Sequence, residues 1–151
     1  MTFRKIKVKG DSISFQAHVG STEQRLRAGK VIYFQVLADD TALTTGNGKM
    51  YFTVPPKLNG MNLIDADAMV ITASTSGLPT IQIRNVTDSA NMLSTPITID
   101  ENELNSYIAA TPPVIDTDHD DVATADLLRI DVTGAGTGAE GLQVCLTFQL
   151  P

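Results

Sequence analysis

The sequence predicts an all-β sandwich, and three observations predict it. Apolar and polar residues alternate with a period of two in run after run, the pattern of strands with one face on a core. Each run is short and bounded by Gly, Pro, Asn or Asp. Counting the runs gives about eight to ten strands and almost no helix.

The closing stretch carries the clearest pattern. Leu142, Val144, Leu146, Phe148 and Leu150 alternate with Gln143, Cys145, Thr147 and Gln149. Upstream, Leu128, Ile130 and Val132 alternate with Arg129 and Asp131 in the same way. The small, Gly-rich connection Thr133–Gly141 can turn the chain back. Leu127–Leu150 is therefore expected to form two antiparallel neighbours, with one wet face and one face on the core. The last strand, one residue from the end of the sequence, should be paired inside a sheet. Val144, Leu146 and Phe148 should point into one core beside Ile130 and Val132.

The other elements follow in order. Ile6 and Val8 stand between Lys5, Lys7 and Lys9, and Ile13, Phe15, Ala17 and Val19 alternate with polar residues. Gly10-Asp11 lies between the two runs, which predicts a β-hairpin with a tight turn. Gly20–Lys30 reads as a loop or a brief helical turn, and Val31–Leu37 as a short strand. Ala38–Gly48 holds turn chemistry at Asp39-Asp40 and at Gly46-Asn47-Gly48. Met50–Val54 should be a strand ended by Pro55-Pro56, because proline cannot donate to a ladder.

Asn59-Gly60 marks the next turn. Leu63–Ala73 is expected as a longer strand with Ile64, Ala66, Ala68 and Val70 on one face. Gly77-Leu78-Pro79 breaks it, and Ile81, Ile83 and Asn85 then share a face. Pro96 within the run Met92–Ile99 favours an edge or a bulge. Asp100–Ser106 is the best place for a helical turn, Pro112-Pro113 forbids a longer helix, and Val114–Ala125 reads as an acidic connection.

A chain of 151 residues fits one core-forming domain. The expected organisation is a basic N-terminal arm with a hairpin over 1–37 and a β-sandwich body over 38–151. The net charge of −6 and pI near 4.7 argue against a nucleic-acid binder, but the charge is uneven. Residues 1–30 hold Arg4, Lys5, Lys7, Lys9, Arg25, Arg27 and Lys30 against Asp11 and Glu23, which makes the arm +5 and the remainder −11. A basic arm on an acidic body predicts docking to an acidic surface through those seven residues. The alternative is that they only guard an exposed strand edge.

Cys145 is the single cysteine, so no intrachain disulfide can form, in keeping with assembly in a reducing cytoplasm. No apolar run is long enough to span a membrane, and no signal peptide is expected.

No catalytic signature stands out, and an enzyme is not expected. Asp116, Asp118, His119, Asp120, Asp121 and Asp126 form an acidic cluster that could hold Ca²⁺, but its spacing lacks the EF-hand glycine and terminal Glu. Zinc is weaker still with two histidines and one cysteine. Asp100, Glu101 and Glu103 could be a glycosidase carboxylate pair, yet the chain has no Trp, three Tyr and five Phe to hold a sugar. His18 with Ser12 or Ser14 lacks a nucleophile-elbow turn. The glycines Gly134, Gly136, Gly138 and Gly141 lack the Lys-Ser/Thr ending of a phosphate loop. No cofactor or metal is expected.

From about Ala38 to Pro151, about three-quarters of the chain, the sequence resembles a family of small virion structural proteins of tailed bacteriophages. The resemblance is carried by Gly46–Pro55 (GNGKMYFTVP), Leu58–Leu63 (LNGMNL), Ile83–Asp88 (IRNVTD) and Met92–Ser94 (MLS). It continues through Thr111–Asp116, Asp120–Thr124, Leu128–Val132 and Leu142–Pro151. These motifs are turns and strand cores, silent about chemistry, and the first 37 residues fall outside them.

The resemblance implies a jelly-roll-like sandwich and a place in the virion after assembly in the host cytoplasm. It favours a head decoration protein that binds the major capsid protein or another virion protein, with no direct contact to nucleic acid or membrane. Fold analogy, together with a wet strand face carrying Cys145 and Thr147, implies a homotrimer. The alternative is a fibre-head or tail-appendage module that recognises a host receptor, a glycan or a protein. The shortage of aromatics favours the first. The arm is expected to attach the protein to its particle or to thread onto a neighbouring subunit, adding a strand to a sheet edge.

Overall fold

The computed structural model describes residues 29–151 throughout; of residues 1–28 it describes only the backbone of four short strands. In these, β1 (Ile6–Lys9) pairs with β2 (Ser12–Phe15), Ile6 opposite Phe15 and Val8 opposite Ile13, as the alternation predicts. β3 (Ala17–Val19) pairs with β4 (Thr22–Gln24), so the expected run Ile13–Val19 is divided. β4 also falls where a loop or helical turn was expected. Each pair is a two-stranded sheet of its own.

Alternation then builds two larger antiparallel sheets and one further pair from β5 (Lys30–Ala42), β6 (Gly46–Thr53), β7 (Met61–Thr72), β8 (Thr80–Asn85), β9 (Ala90–Asn91), β10 (Leu93–Thr95), β11 (Ile97–Thr98), β12 (Val114–Ile115), β13 (Asp121–Val122), β14 (Leu127–Gly134) and β15 (Glu140–Gln149). One sheet has the order β11-β8-β14-β6, with β9 on β8; the other has the order β13-β7-β15-β5; β10 pairs with β12 apart from both. The fold is all-β and sandwich-like. The inner faces of both sheets supply a single core cluster, in which Phe148, Leu63, Ile81, Ile83 and Leu142 are fully buried. Each such side chain contributes about 1.5–3 kcal/mol over leaving it exposed. Phe34 and Phe52 meet edge-to-face from β5 and β6, with ring centroids 5.0 Å apart and planes at 65°.

β15 lies between β7 and β5, paired on both sides as expected, and Val144, Leu146 and Phe148 are buried with Ile130 and Val132. β14 is not its neighbour. It lies in the other sheet, between β8 and β6, so the Gly-rich connection crosses from sheet to sheet instead of closing a hairpin. The expected pairing of Leu127–Leu150 is corrected for a simple reason. A period of two says which face is buried, and two strands facing each other across a core satisfy it as well as two side by side.

Other corrections trace to bulges. Ile64, placed on the core face by its spacing, is 46% exposed while Leu63 is fully buried. The ladder shifts there, Thr147 opposite Asp65 but Phe148 opposite Leu63, so Ile64 is the extra residue that resets the phase. Asp39-Asp40, read as turn chemistry, lie inside β5, which runs to Ala42 past a shift opposite Glu140–Leu142. Gly141 allows that shift: its φ is +64°, and a Cβ there would stand 3.0 Å from the Asp39 backbone.

Gly46-Asn47-Gly48 is likewise a bulge within β6, with Val132 opposite Gly46 but Ile130 opposite Met50. Pro96 splits Met92–Ile99 into β10 and β11, which join different sheets. The helical turn expected over Asp100–Ser106 forms later, as a 3₁₀ turn at Ser106–Ile108 whose first N–H groups are capped when Asn105 accepts from the Tyr107 amide. The acidic connection Val114–Ala125 holds the two short strands β12 and β13. Leu150 lies past β15 and is 47% exposed. The expected boundary at 37/38 falls inside β5, whose residues Lys30–Leu37 pair with Phe148–Leu142.

Candidate docking face

Of the seven basic residues singled out, Arg4, Lys5, Arg25 and Arg27 lie outside the described residues, and Lys7 and Lys9 belong to β1, of which only the backbone is described. Lys30 opens β5 opposite Phe148, and its Nζ donates to the Lys57 carbonyl at 2.8 Å. That bond ties the root of the arm to the 3₁₀ turn Pro56–Leu58.

The acidic residues are dispersed into local structural bonds. Asp120 is 9% exposed and accepts from Asn62 Nδ2 at 2.8 Å. Asp126, also buried, accepts from Asn85 Nδ2 and from the Ala123 amide. Asp116 takes the His119 ring at 2.9 Å and the Asp118 amide. The His119 hydrogen bond lowers the Asp116 pKa, and Asp116 in turn raises that of His119. Among the described residues no three His, Cys, Asp or Glu side chains converge on a common point where a metal could sit. Asp100 accepts from the Ala110 amide and Glu101 from the Gly77 amide, so this pair staples loops together.

Several exposed apolar side chains gather on the outer face of the β13-β7-β15-β5 sheet. Alternation sends Phe34, Val36, Val144 and Leu146 inward and so turns Tyr33, Gln35, Gln143 and Cys145 outward. The ladder sets them in rows: Val31, Thr147 and Asp65; then Tyr33, Cys145 and Asp67; then Gln35, Gln143 and Met69. Gln143 Nε2 donates to Gln35 Oε1 at 2.7 Å, which locks the third row.

Beside β7, Ser106 Oγ donates to Asp67 Oδ1 at 2.9 Å and accepts from the Ala68 amide at 3.1 Å. This anchor carries Tyr107 onto the face. The result is a shallow depression lined by Tyr33, Asp67, Met69, Tyr107, Gln143 and Cys145. Its rims are apolar: Tyr33 is 73% exposed and Tyr107 68%, and Val31 and Ile71 are open on the same sheet.

The electrostatics of the depression disfavour negative charge. Partial burial raises the Cys145 pKa, and Asp65 and Asp67 add to it, so the thiol is not an activated nucleophile. Partial burial also raises the Asp67 pKa, against the lowering effect of the Ser106 hydrogen bond. Tyr33 is raised by the neighbouring Cys145. What this surface offers is a broad apolar platform with two rings and an under-solvated carboxylate, suited to a macromolecular partner.

Sequence reasoning marked Cys145 and Thr147 as a covered face but missed Tyr33, Met69 and Tyr107. The signal was present in Val31–Leu37, where apolar residues fall on both phases of the alternation. No protein-family model, curated protein or solved structure matches the chain.

Proposed function

We propose that this chain is a bacteriophage virion structural protein, a capsid decoration or stabilisation protein that assembles with itself and binds the head lattice. The observation that carries the reading is the apolar outer face of the β5–β15–β7 sheet, with Tyr33 and Tyr107 each more than two-thirds exposed. A surface of that kind on a folded domain is the mark of a protein partner. The stretches that resemble virion proteins, Gly46–Pro55 and Leu142–Pro151 among them, form strands and bulges of the two sheets, which fits a scaffold role. The finer jelly-roll reading is supported by β5, β6, β7 and β8 alternating between the two sheets, as β14 and β15 do.

The host-receptor reading gains one observation. Tyr33 and Tyr107 supply two exposed rings beside Asp67 and Gln143, the kind of platform a sugar could stack on. Labelling the polypeptide on the assembled particle separates the two. Decoration predicts many copies over the head, and label confined to a fibre or tail tip refutes it. Sedimentation should give a trimer at micromolar concentration; a monomer both free and on the particle overturns the assembly.

A further inference from the structure

We infer that the outer face of the β5–β15–β7 sheet seats the basic arm of a second copy, a lysine or arginine of that arm entering between Tyr33 and Tyr107 to meet Asp67. The inference rests on the reading of the chain as a self-assembling virion protein, and it names the contact that joins the copies.

The acceptor chemistry is specific. Asp65 and Asp67, two residues apart on β7, both face outward. Among the described residues the ion pairs are Arg129–Asp131 and His119–Asp116, so neither Asp65 nor Asp67 has a cation there. Asp67 accepts one hydrogen bond from Ser106 and keeps further lone pairs. Its pKa is raised by burial, the state of a carboxylate short of a compensating positive charge. A Lys or Arg head against the faces of Tyr33 and Tyr107 gains a cation–π contact as it meets that carboxylate. Met69 and Val31 then offer apolar surface to the aliphatic stems of the basic side chains.

The donor is the arm. Residues 1–30 carry +5 and residues 31–151 carry −11, so the arm is the basic part of an otherwise acidic molecule. Lys5, Lys7 and Lys9 recur with a period of two, so an extended segment would present all three on one side, away from Ile6 and Val8. The arm also joins the body at this sheet. Gly29 lies against Thr147, where a Cβ would stand 3.2 Å from the Thr147 methyl, and Lys30 starts β5, the free edge strand. An arm seated on its own body would leave the copies unjoined here, whereas exchange from copy to copy closes a ring.

The test uses full-length chains and charge reversal. Lys5→Glu/Lys7→Glu/Lys9→Glu keeps the acceptor face and spoils the donor; Asp65→Lys/Asp67→Lys does the reverse. Each alone should self-associate at least tenfold more weakly than the wild type in sedimentation. Mixed, the two should recover association, read as hetero-complexes by native mass spectrometry. Raising salt from 0.1 to 1 M, which shortens the Debye length from about 10 to about 3 Å, should weaken wild-type assembly.

Because Asp67→Lys removes the Ser106 anchor, Asp65→Lys/Tyr33→Glu serves as a second acceptor-defective variant, with circular dichroism confirming its fold. Wild-type association by both single-side variants overturns the inference. So does weakening with no recovery on mixing, the result expected if each arm seats on its own body or the face binds something else. Wild-type trimers that coat particles while the charge variants behave normally would retain the virion reading and reject this contact.

Discussion

The two sheets bury similar inner faces but finish their outer faces differently. On the β11-β8-β14-β6 sheet, polar side chains are paired within the chain. Asp131, 4% exposed, accepts from the Gly48 amide at 2.7 Å and from Arg129 Nη2 at 2.8 Å. Arg129 Nε also stands 2.8 Å from Asp131 Oδ1, but off line, an ion contact without a hydrogen bond. Arg84 is held by Asn91 and the Ser89 carbonyl, and Gln82 donates to the Leu93 carbonyl. On the other sheet, Tyr33, Met69 and Tyr107 meet solvent and Asp67 lacks a described cation. The first face also shows one ring to solvent, Tyr51 at 54% exposed, but most of its polar groups are paired within the chain; the second gathers several exposed apolar side chains around a carboxylate with no described cation.

The core shared by the two sheets gives the largest expected effect. Phe148→Ala should cost about 3–5 kcal/mol in urea unfolding, because a fully buried ring leaves a cavity between the sheets. A cost below about 1 kcal/mol would mean that the closing strand is not part of one core.

Next comes the completed face. Asp131→Ala should destabilise by about 2–3 kcal/mol, since it strands the Gly48 amide and a largely buried Arg129. Double replacement with Arg129→Met should recover part of that loss. If Asp131→Ala is neutral, this face is no more self-sufficient than the other.

The open face should respond in the opposite sense. Tyr33→Ser should change monomer stability by no more than about 0.5 kcal/mol, as expected of an exposed site. It should nevertheless weaken self-association measurably in sedimentation. A large stability loss with unchanged association would assign Tyr33 to folding.

The smallest effect lies outside both faces. His119 has its pKa raised by Asp116, so its contribution is fully present below the ordinary 6.5 and lost as pH rises through the folded value. Asp116 is lowered, so its share is present above the ordinary 3.8 and lost as pH falls through its own folded value. The pair helps between those two limits. The His119 ring, followed by NMR, should titrate above 6.5 and return toward it in Asp116→Asn.

The arm tests the comparison from outside. Because Lys30 is already part of β5, a deletion should end at Ala28 to leave the sheet whole. The shortened protein should stay folded and lose particle binding; unfolding, or normal binding, would show that the arm does not dock.

The sequence by itself determined the strand content, most of the turns and the membership of the core. A period of two exposes which side chains avoid water, and Leu142–Phe148 and Leu128–Val132 needed nothing more to be placed inside. It also determined the basic arm and acidic body, since charge is additive along a chain. Partner choice was left to the tertiary structure. β14 and β15 are sequence neighbours with matching faces, yet they lie in different sheets, because facing across a core and pairing edge to edge bury the same residues. Ile64 was misplaced because a bulge costs one residue of phase that no spacing rule records. The exposed apolar face was hidden because its parts are distant in sequence: Tyr107 reaches Tyr33 and Cys145 through the Ser106–Asp67 bond, between residues 39 positions apart in the chain.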